Sequence, residues 1–391
     1  MSSLSFIFIC LLGFVAMLCV GMLNPILPIY VKTLGAPYWL VGMSVSSFFV
    51  TRAICEIPAG MFYNRLGWRI PILLSMIIQA TAAALVYSTS DIGTLILARA
   101  IQGVGSTLFF LTAISFVASS APKGAHGRFV GTFQGVEWIG SISGGVVGGT
   151  IAEGLGPKTV FLIVSLVLAA GAIFAMLLRY AHEDRPRTDS NGILAVPWKA
   201  LAGMPPFYVA SAAIFFFMFS YQGIVNTVLP IYVNSELGFS LVFLGILAMC
   251  VSVGQTVAMF AGGSLADRVG YKKSLAVVLT LSMTSIPLLS QVRVMEQLAV
   301  LSTIFGITVG IGLTIPVALI STEIESKDVA SAMAIYRTFM DVGGVVGPSA
   351  VAALIGSSGY QAGFMSAGAV MLVPLVLLTR LKRSGPISSL S

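Results

Sequence analysis

Twelve long apolar runs constrain what this chain can fold into more than any other feature. They lie near residues 5–31, 39–62, 69–89, 92–119, 128–152, 159–180, 207–233, 241–265, 273–290, 296–320, 330–355 and 360–381. A helix needs roughly 20 mostly apolar residues to cross a bilayer, and within hydrocarbon only helices and closed barrels satisfy every backbone polar group. Runs of this length read as helices, so the expected fold is an all-α membrane protein. Composition agrees: 57% of the residues are hydrophobic and 9% charged, against about a quarter charged in an ordinary soluble domain. The net charge of +7 does not describe a nucleic-acid surface, because the basic residues sit in short turns rather than on one soluble face. Cys10, Cys19, Cys55 and Cys250 lie inside apolar runs without metal-ligand spacing and read as small buried hydrophobes. The first run is too long for a signal h-region and lacks a cationic n-region, so it is expected to be the first span.

Lys and Arg predict the orientation. One set of loops, with the C-terminus, holds fifteen of them, from Arg65 and Arg69 to Lys382 and Arg383, while the other holds only Lys32, Lys158 and Arg293. Short cytoplasmic loops carry the excess. Both termini are therefore expected in the cytoplasm, with the protein in the cell membrane. Residues 181–206 break the apolar pattern with His182, Glu183, Asp184, Arg185 and Arg187, and read as a cytoplasmic linker. It separates an expected six-helix bundle over 1–180 from a second over 207–391.

The two bundles are copies. Asn24-Pro-Ile-Leu-Pro-Ile-Tyr30-Val returns as Asn226-Thr-Val-Leu-Pro-Ile-Tyr232-Val. One inserted residue later, Leu34-Gly35 matches Leu237-Gly238, and the offset settles at 203. At that offset the cationic turn Gly60 to Arg69 aligns with Gly263 to Lys272, and Gly140/Gly144 align with Gly343/Gly347. Two parallel six-span repeats are an architecture of secondary transporters.

On these residues the chain resembles the major facilitator superfamily along its whole length. The family's loop signature stands at Gly263, Asp267, Arg268, Gly270, Lys272 and Lys273, and in weaker form at Gly60, Arg65, Gly67 and Arg69, with Asn64 in the acidic position. A second motif, in span 4, is Arg99, Gln102, Gly103 and Gly105. A third, in span 5, is Gly140, Gly144, Gly148 and Gly149, with Gly145 replacing a proline. The resemblance implies twelve transmembrane helices in two pseudo-symmetric six-helix bundles. It also implies alternating access for a small-molecule substrate, by a monomer without a cofactor. The third motif is similar to that of twelve-span proton-coupled drug exporters. Sugar-porter motifs are not visible in 179–187, which disfavours a sugar importer.

Physical roles follow for these motifs. An acid at position 267 can dock on the positive end of a helix in the other half and latch the cytoplasmic side, contributing about 0.3–1 kcal/mol. Asn64 lacks the charge, so the first latch is expected to be the weaker. The rows Gly140/Gly144/Gly148 and Gly343/Gly347 each share one helix face and permit close helix approach. Pro348 adds a kink site.

Six ionisable residues fall within spans: Arg52, Glu56, Arg99, Glu137, Arg337 and Asp341. Each costs about 2.5–3.5 kcal/mol or more at membrane depth, so each is a functional candidate. Arg52 with Glu56, and Arg337 with Asp341, are spaced for pairing within a helix. Glu137 has no such partner. At about 1.5 Å per residue, Glu137 lies roughly 14 Å from the inner end of its span and Arg99 roughly 10 Å from the outer end of the preceding one. Both are near the midplane. Burial disfavours an ionised carboxyl and a close cation favours it, so Glu137 is expected to take up and release a coupling proton, with Arg99 tuning it. Asn24, Tyr30, Gln134, Trp138, Gln222, Asn226, Gln255 and Tyr336 are the expected cavity lining, suited to amphiphilic molecules.

Enzyme chemistry has little to stand on. The two histidines, His126 and His182, fall in loops, no metal set is spaced for binding, and no Gly-x-x-x-x-Gly-Lys-Ser/Thr sequence binds ATP. Two readings stand: proton-coupled efflux of amphiphilic compounds, and uptake of an organic acid, sugar or nucleoside, for which Arg52, Arg99 and Arg337 argue.

Overall fold

The computed structural model describes residues 3–122, 126–177, 204–324 and 326–380, all helices and connecting turns with no strand among them. Most of the expected linker, 181–203, lies outside the described residues. Its last residues open a helix, with Met204 as N-cap and a proline in the first turn, where the missing N–H costs nothing. Two compact units are present: Met1–Asp189 with Pro230–Met249, and Ser190–Leu229 with Cys250–Ser391.

The first six helices are α1 (Ser3–Thr33), α2 (Tyr38–Leu66), α3 (Arg69–Ser88), α4 (Ile92–Ser120), α5 (His126–Leu155) and α6 (Pro157–Leu177). Then come α7 (Pro205–Glu236, composite), α8 (Leu241–Val269), α9 (Tyr271–Leu289), α10 (Met295–Glu323), α11 (Ser326–Ala369) and the short α12 (Leu372–Leu377). Ten described stretches are long and apolar enough to cross a bilayer. The last, Ile335–Arg380, runs 46 residues and is two spans, because Gly359 turns the chain inside it at φ 82. The glycine-rich α5 is not among the ten, yet it packs along α1 as a full-length helix. With these two, the helices match the twelve apolar runs.

Turn geometry bears the duplication. Among the described residues, six glycines have positive φ: Gly35, Gly67, Gly156, Gly238, Gly270 and Gly359. They form three pairs, 35/238, 67/270 and 156/359, each at the repeat offset of 203. Gly67 closes α2 by donating its N–H to the Tyr63 carbonyl, a left-handed stop that a side chain would strain. The signature loops thus need glycine at 67 and 270 to fold back tightly, whatever else they do. The turn before α4 is set differently: Asp91 caps the helix, its Oδ2 accepting the Thr94 N–H at 2.7 Å and the Thr94 hydroxyl at 2.8 Å. Those bonds, the backbone one first, hold its carboxyl below the ordinary range. The cap is therefore complete at neutral pH and is lost only as pH falls through that lowered value.

Within each unit, glycines let helices meet backbone to backbone. A Cβ on Gly140 or Gly144 would come within 3.0 Å of the carbonyl oxygen of Phe14 or Leu18 on α1. Gly343 and Gly347 stand in the same relation to Phe215 and Phe219 on α7. Gly103 sits against the Phe48 carbonyl, and Gly306 against that of Val251, both members of the pair 203 positions on. The α1·α5 pairing of the first repeat is thus remade as α7·α11 in the second, and α2·α4 as α8·α10.

Helix α7 departs from its twin in one respect. It is π-helical over Tyr221–Val228 and again over Tyr232–Glu236, whereas α1 is α-helical throughout. Before the first π segment the structural offset is 201 (Leu18 to Phe219), just past it 202 (Leu27 to Leu229), and beyond the second 203 (Gly35 to Gly238). Each π segment absorbs one inserted residue without breaking the helix, as single-residue π-bulges do.

Candidate functional site

In the first unit, α5 carries Glu137 on the same face as Phe133, Gly140 and Gly144, which is the face against α1. Glu137 is 9% exposed, and its Oε1 has no hydrogen-bond partner. Space for it comes from Gly13 of α1: a Cβ there would lie 2.8 Å from the Phe133 ring and 3.2 Å from Glu137 Cγ. Gly13 does not stand out in the sequence as part of a site. A glycine in an apolar span gives no signal until its neighbour is known.

Arg99, 5% exposed on α4, takes a different direction. Its Nη1 donates to Gln102 Oε1, one turn along the same helix. Its guanidinium lies 4.9 Å from the centre of the Phe48 ring on α2, and its Nε has no hydrogen-bond partner. Arg99 and Glu137 form no ion pair here: the midplane neighbours predicted by helix rise alone face different helices. Three of the four residues of the span-4 motif are accounted for here, since Gln102 holds the fork of Arg99 while Gly103 admits the Phe48 carbonyl. Lysine lacks the planar fork, so Arg99→Lys is expected to cost about 1–3 kcal/mol from the lost hydrogen bond and ring contact. A thermal unfolding curve in detergent measures this, and an unchanged midpoint would exclude it.

The remaining candidates divide by environment. Tyr30 is buried, donating to the Thr89 carbonyl at 3.1 Å and lying 5.3 Å from the Phe161 ring, contacts that pack the C-terminal end of α1. Asn24, Gln134 and Trp138 are half-buried, as are Arg52 and Glu56. In the second unit Gln222, Asn226, Gln255, Tyr336 and Asp341 are buried and Arg337 is exposed. Asn226 Nδ2 donates to Gln222 Oε1 at 2.6 Å, and Tyr221 shares a hydrogen bond with Asn226. This cluster is built by the first π segment, which the sequence marked only as a drift in repeat offset. Gln255 Oε1 and the Tyr336 hydroxyl have no hydrogen-bond partner. Glu137 and Asp341 fall one residue out of register in the repeat, about 100° apart on their helices, so the two buried acids are not equivalent. A cavity of about 410 Å³ at the α9–α10 turn, lined by Leu288, Val292, Glu296, Gln297, Val300 and Leu301, takes in none of these polar groups.

The residues expected to form the latches are at or near helix ends. Asn64 and Arg65 are exposed, Gly60 lies 3.9 Å from Leu111 by its missing Cβ, and Arg69 lies over the Trp68 ring. Arg268 is exposed and Lys272 half-buried. The side chain of Asp267 lies outside the described residues.

With fold and site in place, comparison decides the family. The Major Facilitator Superfamily profile matches residues 9–245 and 221–389. The chain belongs to the Major Facilitator Superfamily. Among its relatives in the superfamily is the multi-drug resistance efflux pump PmrA of Streptococcus pneumoniae, 30% identical over 361 residues, covering 88% of each chain. The multidrug resistance protein MdtG of Salmonella choleraesuis is 26% identical over 374 residues, covering 93% of this chain and 92% of its own. In fold, the chain is similar to the crystal structure of a bacterial homolog of the human lysosomal transporter Spinster, with TM-score 0.83, 14% identity and coverage of 97% and 96%. As a member of the superfamily it is a membrane transporter, not an enzyme.

Proposed function

We propose that this superfamily member is a proton-coupled exporter of small amphiphilic compounds, working by alternating access with both termini in the cytoplasm. Glu137 carries the reading: a buried carboxyl with an open oxygen, in a niche made by Gly13, is the group that can exchange a proton for a substrate during the cycle. Efflux, rather than some other coupled transport, is supported by PmrA and MdtG, whose names record drug resistance. Arg99 acts on Glu137 only if the helices move, since in this conformation Gln102 holds it. The latches at Asn64 and Asp267 belong to the same proposal, as do the candidate cavity residues of both units.

The test is flux into and out of proteoliposomes with an imposed pH gradient and a panel of dyes, lipophilic cations, sugars and organic acids. Proton release from the vesicle lumen on adding a lipophilic cation supports efflux. A second reading, uptake of an organic anion, rests on the unpartnered Nε of buried Arg99, and pH-driven accumulation of an organic acid in the same assay would select it.

A further inference from the structure

The glycines of α5 serve two faces, not one. Gly140, Gly144 and Gly148 lie against α1, the last beneath Met22. Gly145 and Gly149, more than a quarter-turn around the helix, lie instead against α8, a helix of the second repeat. A Cβ on Gly149 would come within 3.0 Å of the Leu241 carbonyl, and one on Gly245 within 3.0 Å of the Gly145 carbonyl. Gly145 itself has 3.1 Å to the Ala248 Cβ and to the Gly245 carbonyl. The row continues one turn further, to Glu153. Its Oε2 accepts the N–H of Leu241, the first residue of α8, at 2.6 Å. Ser240 takes the next free donor of that terminus, its hydroxyl accepting from Phe243 at 3.2 Å. All of these residues lie in the first compact unit.

We infer that Gly145, Gly149 and Glu153 form a clasp that holds the outer end of α5 to the start of α8, and that Glu153 sets how readily the two ends part. An exposed carboxylate on a helix N-terminus satisfies an orphan N–H and faces the positive end of the helix dipole. The glycine seam, by contrast, is van der Waals packing, strong while closed and silent once opened. The departure of Gly145 from the proline of the family motif fits the same contact, since a ring at 145 would press on Gly245 and Ala248. In the second repeat the equivalent position is Pro348.

The inference rests on the alternating-access reading, in which outer helix ends separate once per cycle. Nitroxide labels at Leu155→Cys and Ser235→Cys, both exposed, in a background with the four native cysteines replaced, report the separation by pulsed electron resonance. No substrate or gradient is required. Glu153→Ala should raise the long-distance fraction about two- to fivefold, Glu153→Lys more, and Glu153→Gln less because the amide oxygen still accepts the Leu241 N–H. Unchanged distance distributions in Glu153→Ala and Glu153→Lys would overturn the clasp. Proteoliposome flux measured alongside separates the two ideas. Normal flux with unmoved distances removes the clasp and leaves the transport reading, whereas shifted distances in a protein that moves no substrate do the reverse.

Discussion

Glu137→Gln is expected to abolish gradient-driven transport while leaving downhill exchange intact. Glutamine keeps the shape and the carbonyl acceptor, so the niche beside Gly13 stays filled and the α1·α5 seam closed. It cannot gain or lose a proton. A positioned proton-transfer group contributes about 100-fold or more to a step that needs it, so pH-driven flux should fall by about that factor, to background. Counterflow of labelled against unlabelled substrate needs no net proton movement and should stay within about twofold. Glu137→Asp, one methylene shorter, keeps the proton and should keep part of the driven flux. Full gradient-driven transport by Glu137→Gln would sink the assignment. If Glu137 instead pairs with a cationic substrate, the Gln variant will lose affinity for cations yet still drive neutral compounds. That pattern is readily distinguished in the same vesicles.

The largest structural effect should come from Gly144. Its missing Cβ faces the Leu18 carbonyl, the Gly21 Cα and the Met22 amide, all backbone, and Gly21 meets the Ser141 carbonyl and Gly144 in return. Flexible side chains can swing aside, but two helix backbones can only separate. Gly144→Val should therefore cost about 3 kcal/mol or more, at or beyond the top of the usual overpacking range, and open the niche that holds Glu137. Gly135 on the same helix has nothing within 4 Å of its missing Cβ, and Gly135→Ala should gain up to about 1 kcal/mol from helix propensity. Paired unfolding curves in detergent decide between them. Equal midpoints for the two variants would mean that the close approach at Gly144 does not stabilise the fold.

Legibility from sequence followed the range of the interaction. Spans and the duplication depend on composition and local order, and the pairs Gly35/Gly238, Gly67/Gly270 and Gly156/Gly359 bear the repeat out, since each turn needs glycine for its own φ. Tyr30 illustrates where such reading stops. It reads as a polar aromatic residue of the cavity lining, and only the fold shows its hydroxyl on the Thr89 carbonyl beside the Phe161 ring. Arg99 and Glu137 illustrate it again, because helix rise fixes depth but not azimuth.

By itself, then, the sequence determined an all-α membrane fold of two six-span repeats, with ionisable residues and glycine rows on named helices. Hydrophobic length and backbone satisfaction leave a chain in a bilayer few other choices. Tertiary structure decided which helix each face meets: Glu137 against Gly13, Arg99 on Phe48 and Gln102, Gly145 and Gly149 against α8, and the two π segments that absorb the inserted residues of α7. Those outcomes depend on backbones approaching across tens or hundreds of residues, where lipid is as apolar as the side chains and packing alone chooses the partner.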